Sequence, residues 1–168
     1  MTHTTLVLGG ARSGKSVYAE GLLAGAPALY LATGQAFDDE MADRIRLHVD
    51  RRGPTWSTIE EALDLPALLD RHLDPTRPIL VDCLTLWISN LMHAGRDVAT
   101  ETEALAEVVA GARGDLVLVS SEVGLGLVPE TRLGRDFRDH QGRVNQRMAQ
   151  VCRRVVFVAA GLPLILKG

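Results

Sequence analysis

The chain has 168 residues, a formal net charge of −3, 46% hydrophobic residues and only 4% aromatic ones. That length fits a single compact domain over residues 1–168, with an aliphatic core large enough to need no disulfide or metal staple. The acidic balance argues against a nucleic-acid partner, so any phosphate-bearing ligand must be held by local groups rather than by the field of the whole molecule.

The chain opens on an apolar run, Thr5 to Leu8, that reads as a buried strand, and no basic leader precedes it. A helix follows from Lys15, with Tyr18, Ala19, Leu22 and Leu23 on one stripe. Ala28 to Ala32 is a second strand. Asp38, Asp39 and Glu40 place acidic residues in the first turn of a helix that runs to about Arg52 and stops at Gly53-Pro54. Trp56 to Ile59 reads as a short strand, and Glu60 to Leu73 as a helix interrupted at Pro66.

Pro78 to Asp82 is a strand and Leu84 to Met92 a helix, broken by Ala94-Gly95-Arg96. Leu105, Val108, Val109 and Ala112 mark an amphipathic helix, and Leu116 to Val119 a core strand. After a Gly-rich loop at Gly124-Leu125-Gly126, a long polar helix is expected from about Pro129 to Arg153. Val155 to Val158 and Leu162 to Leu166 read as a hairpin about Gly161 that adds an antiparallel edge. Short apolar runs alternating with helical patterns indicate an α/β fold, a mostly parallel sheet flanked by helices. No apolar stretch approaches the ~20 residues of a membrane span. Cys83 and Cys152 form no spaced pattern, so neither zinc nor a disulfide framework is indicated. The expectation is a reduced, soluble, cytoplasmic protein.

Gly9-Gly10-Ala11-Arg12-Ser13-Gly14-Lys15-Ser16 matches the phosphate-loop pattern G-x-x-x-x-G-K-[ST] at every fixed position. Glycines let the backbone bring its N–H groups close to phosphate oxygens. Lys15 supplies a point charge between the β- and γ-phosphates, Ser16 offers a hydroxyl to Mg²⁺, and the helix N-terminus adds its partial positive charge. An apolar strand before the loop and an amphipathic helix after it are the context such a loop needs. The acidic partner for the metal is expected at a strand end. Asp82 is preferred, on the template of strand, Asp, then loop, with Glu122 as the alternative.

Met41, Ile45 and His48 share one helical stripe, so on spacing alone His48 is either a core-edge histidine or a functional one. Arg51 and Arg52 follow within a turn. A cation pair there favours an uncharged imidazole beside a phosphate-rich ligand, and a neutral imidazole is a competent nucleophile towards phosphorus.

Across nearly its whole length the sequence resembles the bifunctional adenosylcobinamide kinase / adenosylcobinamide-phosphate guanylyltransferases of cobalamin biosynthesis. The phosphate loop carries the likeness together with Tyr30 to Gln35, Asp38 to Met41, Arg44, Ile45 and His48, and Trp56 to Glu60. It continues through Val81 to Trp87, Ser89 to Leu91, Glu122 to Glu130, Phe137 to Asp139, and Gly142 to Arg147. Ser121 and Thr131 depart from it, each standing where Asn is expected.

The resemblance implies a P-loop fold of the RecA-like type and two reactions. A nucleoside triphosphate, ATP or GTP, phosphorylates the aminopropanol hydroxyl of adenosylcobinamide; GTP then donates GMP to that phosphate and pyrophosphate leaves. It implies a covalent guanylyl phosphoramidate on His48. Nucleotide contacts are implied at the phosphate loop, Thr33, Gly34, Gln35, Arg51, Arg52, Glu60 and Asp82, and a homo-oligomer, a trimer, is implied as well. Two other readings compete. One is a monofunctional small-molecule kinase. The other is a GTP-switched regulatory module, which the chain fits poorly because it has no Asn-Lys-x-Asp run.

Overall fold

A computed structural model of the protein describes residues 3–34 and 55–168. The helix expected from Asp38 to about Arg52, and with it Gln35, His48, Arg51 and Arg52, lies outside the described residues.

In chain order the elements are β1 (Thr4–Gly9), α1 (Lys15–Leu22), β2 (Ala28–Ala32), β3 (Trp56–Glu60), α2 (Leu65–His72) and β4 (Ile79–Asp82). They continue with α3 (Leu84–His93), α4 (Val98–Ala110), β5 (Leu116–Ser121), α5 (Arg132–Val151), β6 (Arg154–Ala159) and β7 (Leu162–Lys167). Among the described residues the strands form one seven-stranded sheet in the order β3-β2-β4-β5-β1-β6-β7. All neighbours pair parallel except β7, which runs antiparallel to β6, so the expected edge hairpin is present.

The inner strands β1, β2, β4 and β5 are apolar on both faces because each face is covered, whereas the edge strands β3 and β7 are largely exposed. Leu6, Leu8, Leu29, Leu31, Ile79, Val81, Leu116 and Leu118 feed one core, together with Leu69, Trp87, Leu105 and Met148 of the helices α2 to α5. Alternate residues, Val7, Tyr30, Leu80, Val117 and Val119, feed the opposite core, against Ala19 of α1. The first core holds the bulk of the helical mass. The second holds the helix that follows the phosphate loop.

Several boundaries differ from those expected, three of them for reasons visible in the structure. β3 takes up Glu60, and Pro66 stands in the first turn of α2, where a missing N–H costs nothing, so it starts a helix rather than interrupting one. The helix containing Leu105 starts at Val98, where the Asp97 carboxylate accepts the Thr100 N–H at 2.7 Å, and ends at Ala110, so Ala112 lies beyond it. The long polar helix begins later, at Arg132, where the Thr131 hydroxyl accepts the Gly134 N–H at 3.1 Å. Among the described residues no helix is long and apolar enough to cross a membrane.

Gly114 leads into β5 against the turn that follows α2. A Cβ there would lie 2.2 Å from the Asp74 carbonyl oxygen and 2.9 Å from its carbon, and backbone cannot give way as a flexible side chain can. Gly114→Ala is therefore expected to destabilise the fold by about 1–3 kcal/mol, read as a lower urea midpoint at unchanged slope.

Candidate functional site

Between β1 and α1 the chain forms a concave loop of backbone amides. Arg12 (φ 55°) and Gly14 (φ 92°) take left-handed conformations on either side of Ser13, an alternation that turns successive N–H groups inward as an anion nest. Ser13 N–H donates to the Gly10 carbonyl at 3.3 Å, closing the curve. No side chain caps the N-terminus of α1, which leaves its first amides and their share of the helix dipole to whatever the loop holds. Lys15 Nζ donates to the Gly10 carbonyl at 3.1 Å, so the ammonium is tied back to the loop itself.

Two glycines are demanded by space as well as by conformation. A Cβ on Gly9 would lie 2.4 Å from Ser13 Oγ and 2.7 Å from the Val158 carbonyl oxygen. A Cβ on Gly14 would lie 3.1 Å from the Gly161 Cα. That second neighbour belongs to the β6–β7 turn, where Ala160 (φ 52°) and Gly161 (φ 77°) are both left-handed, as a two-residue hairpin requires. Gly161 N–H donates to the Ser13 carbonyl at 2.8 Å. The C-terminal hairpin thus buttresses the phosphate loop, a role for Gly161 that nothing in its own neighbourhood of sequence announces.

The other expected residues cluster at the C-terminal ends of the parallel strands, where open α/β sheets hold their ligands. Asp82 ends β4, which β5 separates from β1. Tyr30 Oη donates to Asp82 Oδ2 at 2.8 Å, which orients the carboxylate. The buried Cys83 thiol reports on both charges. Burial pushes it up to about 12, the Asp82 carboxylate adds to that rise, and the Lys15 ammonium works against it. Cys83 therefore stays a protonated thiol with no nucleophilic role at neutral pH.

Thr33 is fully buried, and its side chain has a structural task. Its hydroxyl donates to the Cys83 carbonyl at 2.6 Å and accepts the Cys83 N–H at 2.9 Å, while Asn90 Nδ2 donates to the Thr33 carbonyl at 2.8 Å. This clasp ties the end of β2 to the end of β4, just beyond Asp82. Thr33→Val keeps the shape but leaves the Cys83 N–H without its partner, while the Cys83 carbonyl still accepts the Trp87 N–H. A loss of about 1–3 kcal/mol in denaturant stability is expected. Gly34 follows, its Cα packed so that a Cβ would lie 3.2 Å from Leu86 Cδ1. Glu60 ends the edge strand β3, exposed and in register with Ala32, on the far side of β2 from Asp82.

The structure thus brings together the phosphate loop, Lys15, Ser16 and Asp82, with Thr33 and Gly34 beside Asp82 and Glu60 one strand further out. Tyr30, Asn90 and Gly161 join the site without having been expected there. A tyrosine hydroxyl in an otherwise aliphatic strand was the available signal for the first. Among the described residues no three His, Cys, Asp or Glu side chains gather as a metal cluster. The oxygen donors at hand, the Ser16 hydroxyl and the Asp82 carboxylate, are the hard ligands that Mg²⁺ takes when phosphates and water complete its shell.

A likeness to solved structures supports the fold alone. The P4 protein from bacteriophage phi6, in complex with ADP, superposes with a TM-score of 0.52 at 15% identity, covering 96% of this chain and 52% of that one. Relatives in sequence are far nearer. The bifunctional adenosylcobalamin biosynthesis protein CobP of Pseudomonas aeruginosa is 47% identical over 97% of this chain and 96% of its own. The bifunctional adenosylcobalamin biosynthesis protein CobU of Salmonella typhimurium is 42% identical over 96% and 98%, and that of Escherichia coli 38% identical over the same shares. The family model described as cobinamide kinase / cobinamide phosphate guanyltransferase matches residues 5–166. With its P-loop fold and its matches over nearly the whole length, the chain belongs to that family of bifunctional kinase and guanylyltransferase enzymes.

Proposed function

We propose that both reactions run on one nucleotide cradle, with His48 as the covalent carrier of GMP in the second. The observation that carries this reading is the loop of inward amides from Gly9 to Ser16, closed by Lys15, with Asp82 at the end of β4 two strands away in the same sheet. In the first reaction the terminal phosphoryl group of ATP or GTP passes to the aminopropanol hydroxyl of adenosylcobinamide. Lys15 and the loop amides offset the charge that spreads over the transferring group and the departing diphosphate. In the second, the His48 imidazole attacks the α-phosphorus of GTP. A P–N bond forms, the α–β P–O bond breaks, and the same cradle stabilises the pyrophosphate that leaves. The substrate phosphate oxygen then attacks the α-phosphorus and the P–N bond breaks, giving adenosylcobinamide-GDP.

In this reading Thr33, Gly34, Gln35, Arg51, Arg52, Glu60 and Asp82 contact the guanine nucleotide, Thr33 through its backbone, since its hydroxyl is engaged with Cys83. Ser16 and Asp82 would hold Mg²⁺, which when bound neutralises phosphate charge. The enzyme is a cytoplasmic homotrimer of single-domain subunits in the same reading. Light scattering on the purified protein should then give three times the 18.2 kDa chain mass.

Incubation of the purified protein with adenosylcobinamide, Mg²⁺ and GTP tests the whole. Mass spectrometry of the corrinoid should show first the phosphate and then the GDP derivative, with pyrophosphate released in step with the second. A corrinoid phosphate that never gains GMP would leave only the kinase.

A further inference from the structure

The kinase reaction needs a proton acceptor: as the acceptor oxygen bonds to phosphorus, its hydroxyl proton has to go somewhere. Two strands flank β1 in the sheet, β5 and β6. β6 ends at Ala159 and is followed by Ala160, and neither side chain accepts a proton. β5 ends at Ser121, level with Gly9 in the register, and the next residue, Glu122, donates its N–H to the Gly9 carbonyl at 3.0 Å. Glu122 is therefore the carboxylate mounted one hydrogen bond from the first residue of the phosphate loop. Asp82 lies one strand further away and is engaged by Tyr30.

The end of β5 is held with unusual firmness for a strand terminus. Ser121 N–H donates to Thr85 Oγ1 at 2.8 Å, and Asn145 Nδ2 donates to the Ser121 carbonyl at 3.0 Å. Asn145 Oδ1 in turn accepts from Ser120 Oγ at 2.7 Å and from Gln141 Nε2 at 3.0 Å, and Gln141 Nε2 also reaches Ser120 Oγ at 2.9 Å. Ser120, Gln141 and Asn145 are buried polar residues in an aliphatic core, and Gln141 Oε1 has no partner among the described residues. Burying such a set is unfavourable beside plain apolar packing, so its return is positional: it fixes the two residues ahead of Glu122 from α3 and α5 at once. The carboxylate is itself oriented. Glu122 Oε1 accepts the Gly124 N–H at 2.6 Å, and among the described residues Oε2 has no partner.

We infer that Glu122 is the general base of the phosphorylation step, an inference that rests on the two-reaction reading above. The acceptor O–H bond breaks with its proton passing to Glu122 Oε2. The oxygen's electron pair forms the new bond to the γ-phosphorus, and the bond from that phosphorus to the β,γ-bridging oxygen breaks, releasing the nucleoside diphosphate.

Glu122→Gln isolates this role, because the amide oxygen of Gln still accepts the Gly124 N–H while the side chain no longer takes a proton. The expected result is a fall in kcat for phosphorylation of about 100-fold or more, with KM for the nucleotide changed less than about threefold. Glu122→Asp, which keeps a base one methylene shorter, is expected to recover part of the rate. Three results overturn the assignment: a Gln variant within about threefold of the unaltered rate, a loss cured by raising Mg²⁺, which would make Glu122 a metal ligand, or a loss expressed wholly in nucleotide KM. The unaltered chain, assayed alongside, separates the two failures. If it does not phosphorylate the corrinoid at all, the two-reaction reading falls, and the assignment with it.

Discussion

Lys15→Ala is expected to depress both half-reactions together, by about 100-fold or more in kcat each, and to weaken triphosphate binding by about tenfold. In the proposed reading the two steps break different bonds against the same cradle. Cleavage beyond the β-phosphate develops charge on a departing diphosphate, and cleavage beyond the α-phosphate develops it on a departing pyrophosphate. In both cases the negative charge grows where the Lys15 ammonium and the loop amides lie. Lys15 Nζ is bonded to the Gly10 carbonyl, which holds the ammonium at the loop. Rates of corrinoid phosphorylation and of pyrophosphate release, measured separately on the variant, check this. A variant that lost one reaction and kept the other would mean that the two nucleotides occupy different cradles.

His48→Asn should do the opposite and split the reactions. Guanylyl transfer is expected to fall by about 1000-fold or more, since no other nucleophile is proposed for the α-phosphorus, while phosphorylation stays within about threefold. The direct measurement uses GTP labelled at the α-phosphorus, followed by denaturation. The unaltered protein should retain label that survives alkali and is released by acid, as a phosphoramidate does, and the variant should retain none. Equal loss of both reactions in the variant would show that His48 serves the nucleotide in general rather than carrying GMP.

How much of this could be read from residues alone follows from the range of the forces involved. The phosphate loop was legible because its chemistry fixes residue types at fixed spacing, Gly9, Gly14, Lys15 and Ser16, between a strand and a helix. The strands were legible because burial on both faces leaves unbroken apolar runs, such as Ala28 to Ala32 and Leu116 to Val119. Pro66 was misread for a local reason: the same residue breaks a helix interior and suits a first turn, and only the position of Asp64 and Leu65 in space decides which. Neighbour relations in a parallel sheet are set by crossovers, not by adjacent residues, so the insertion of β5 between β1 and β4 was not visible. With it stayed hidden the nearness of Glu122 to Gly9. The clasp of Thr33 on Cys83 illustrates a further limit. A threonine at a strand end suits both a nucleotide contact and a backbone bridge, and the choice appears only when β2 and β4 are seen side by side.

The contact between Gly161 and Ser13 bears on when the protein first becomes able to hold its substrate. A ribosome delivers residues 9–16 early and residue 161 only after nearly 150 more, yet the Ser13 carbonyl finds its partner in that late turn. With β6 beside β1 and β7 beside β6, that hydrogen bond forms only when the hairpin is in place, so triphosphate affinity is expected to mark completion of the sheet rather than of its first strand. By mass action the relation also runs backwards: a bound triphosphate holds the late hairpin down, and slower amide exchange along β6 is its signature.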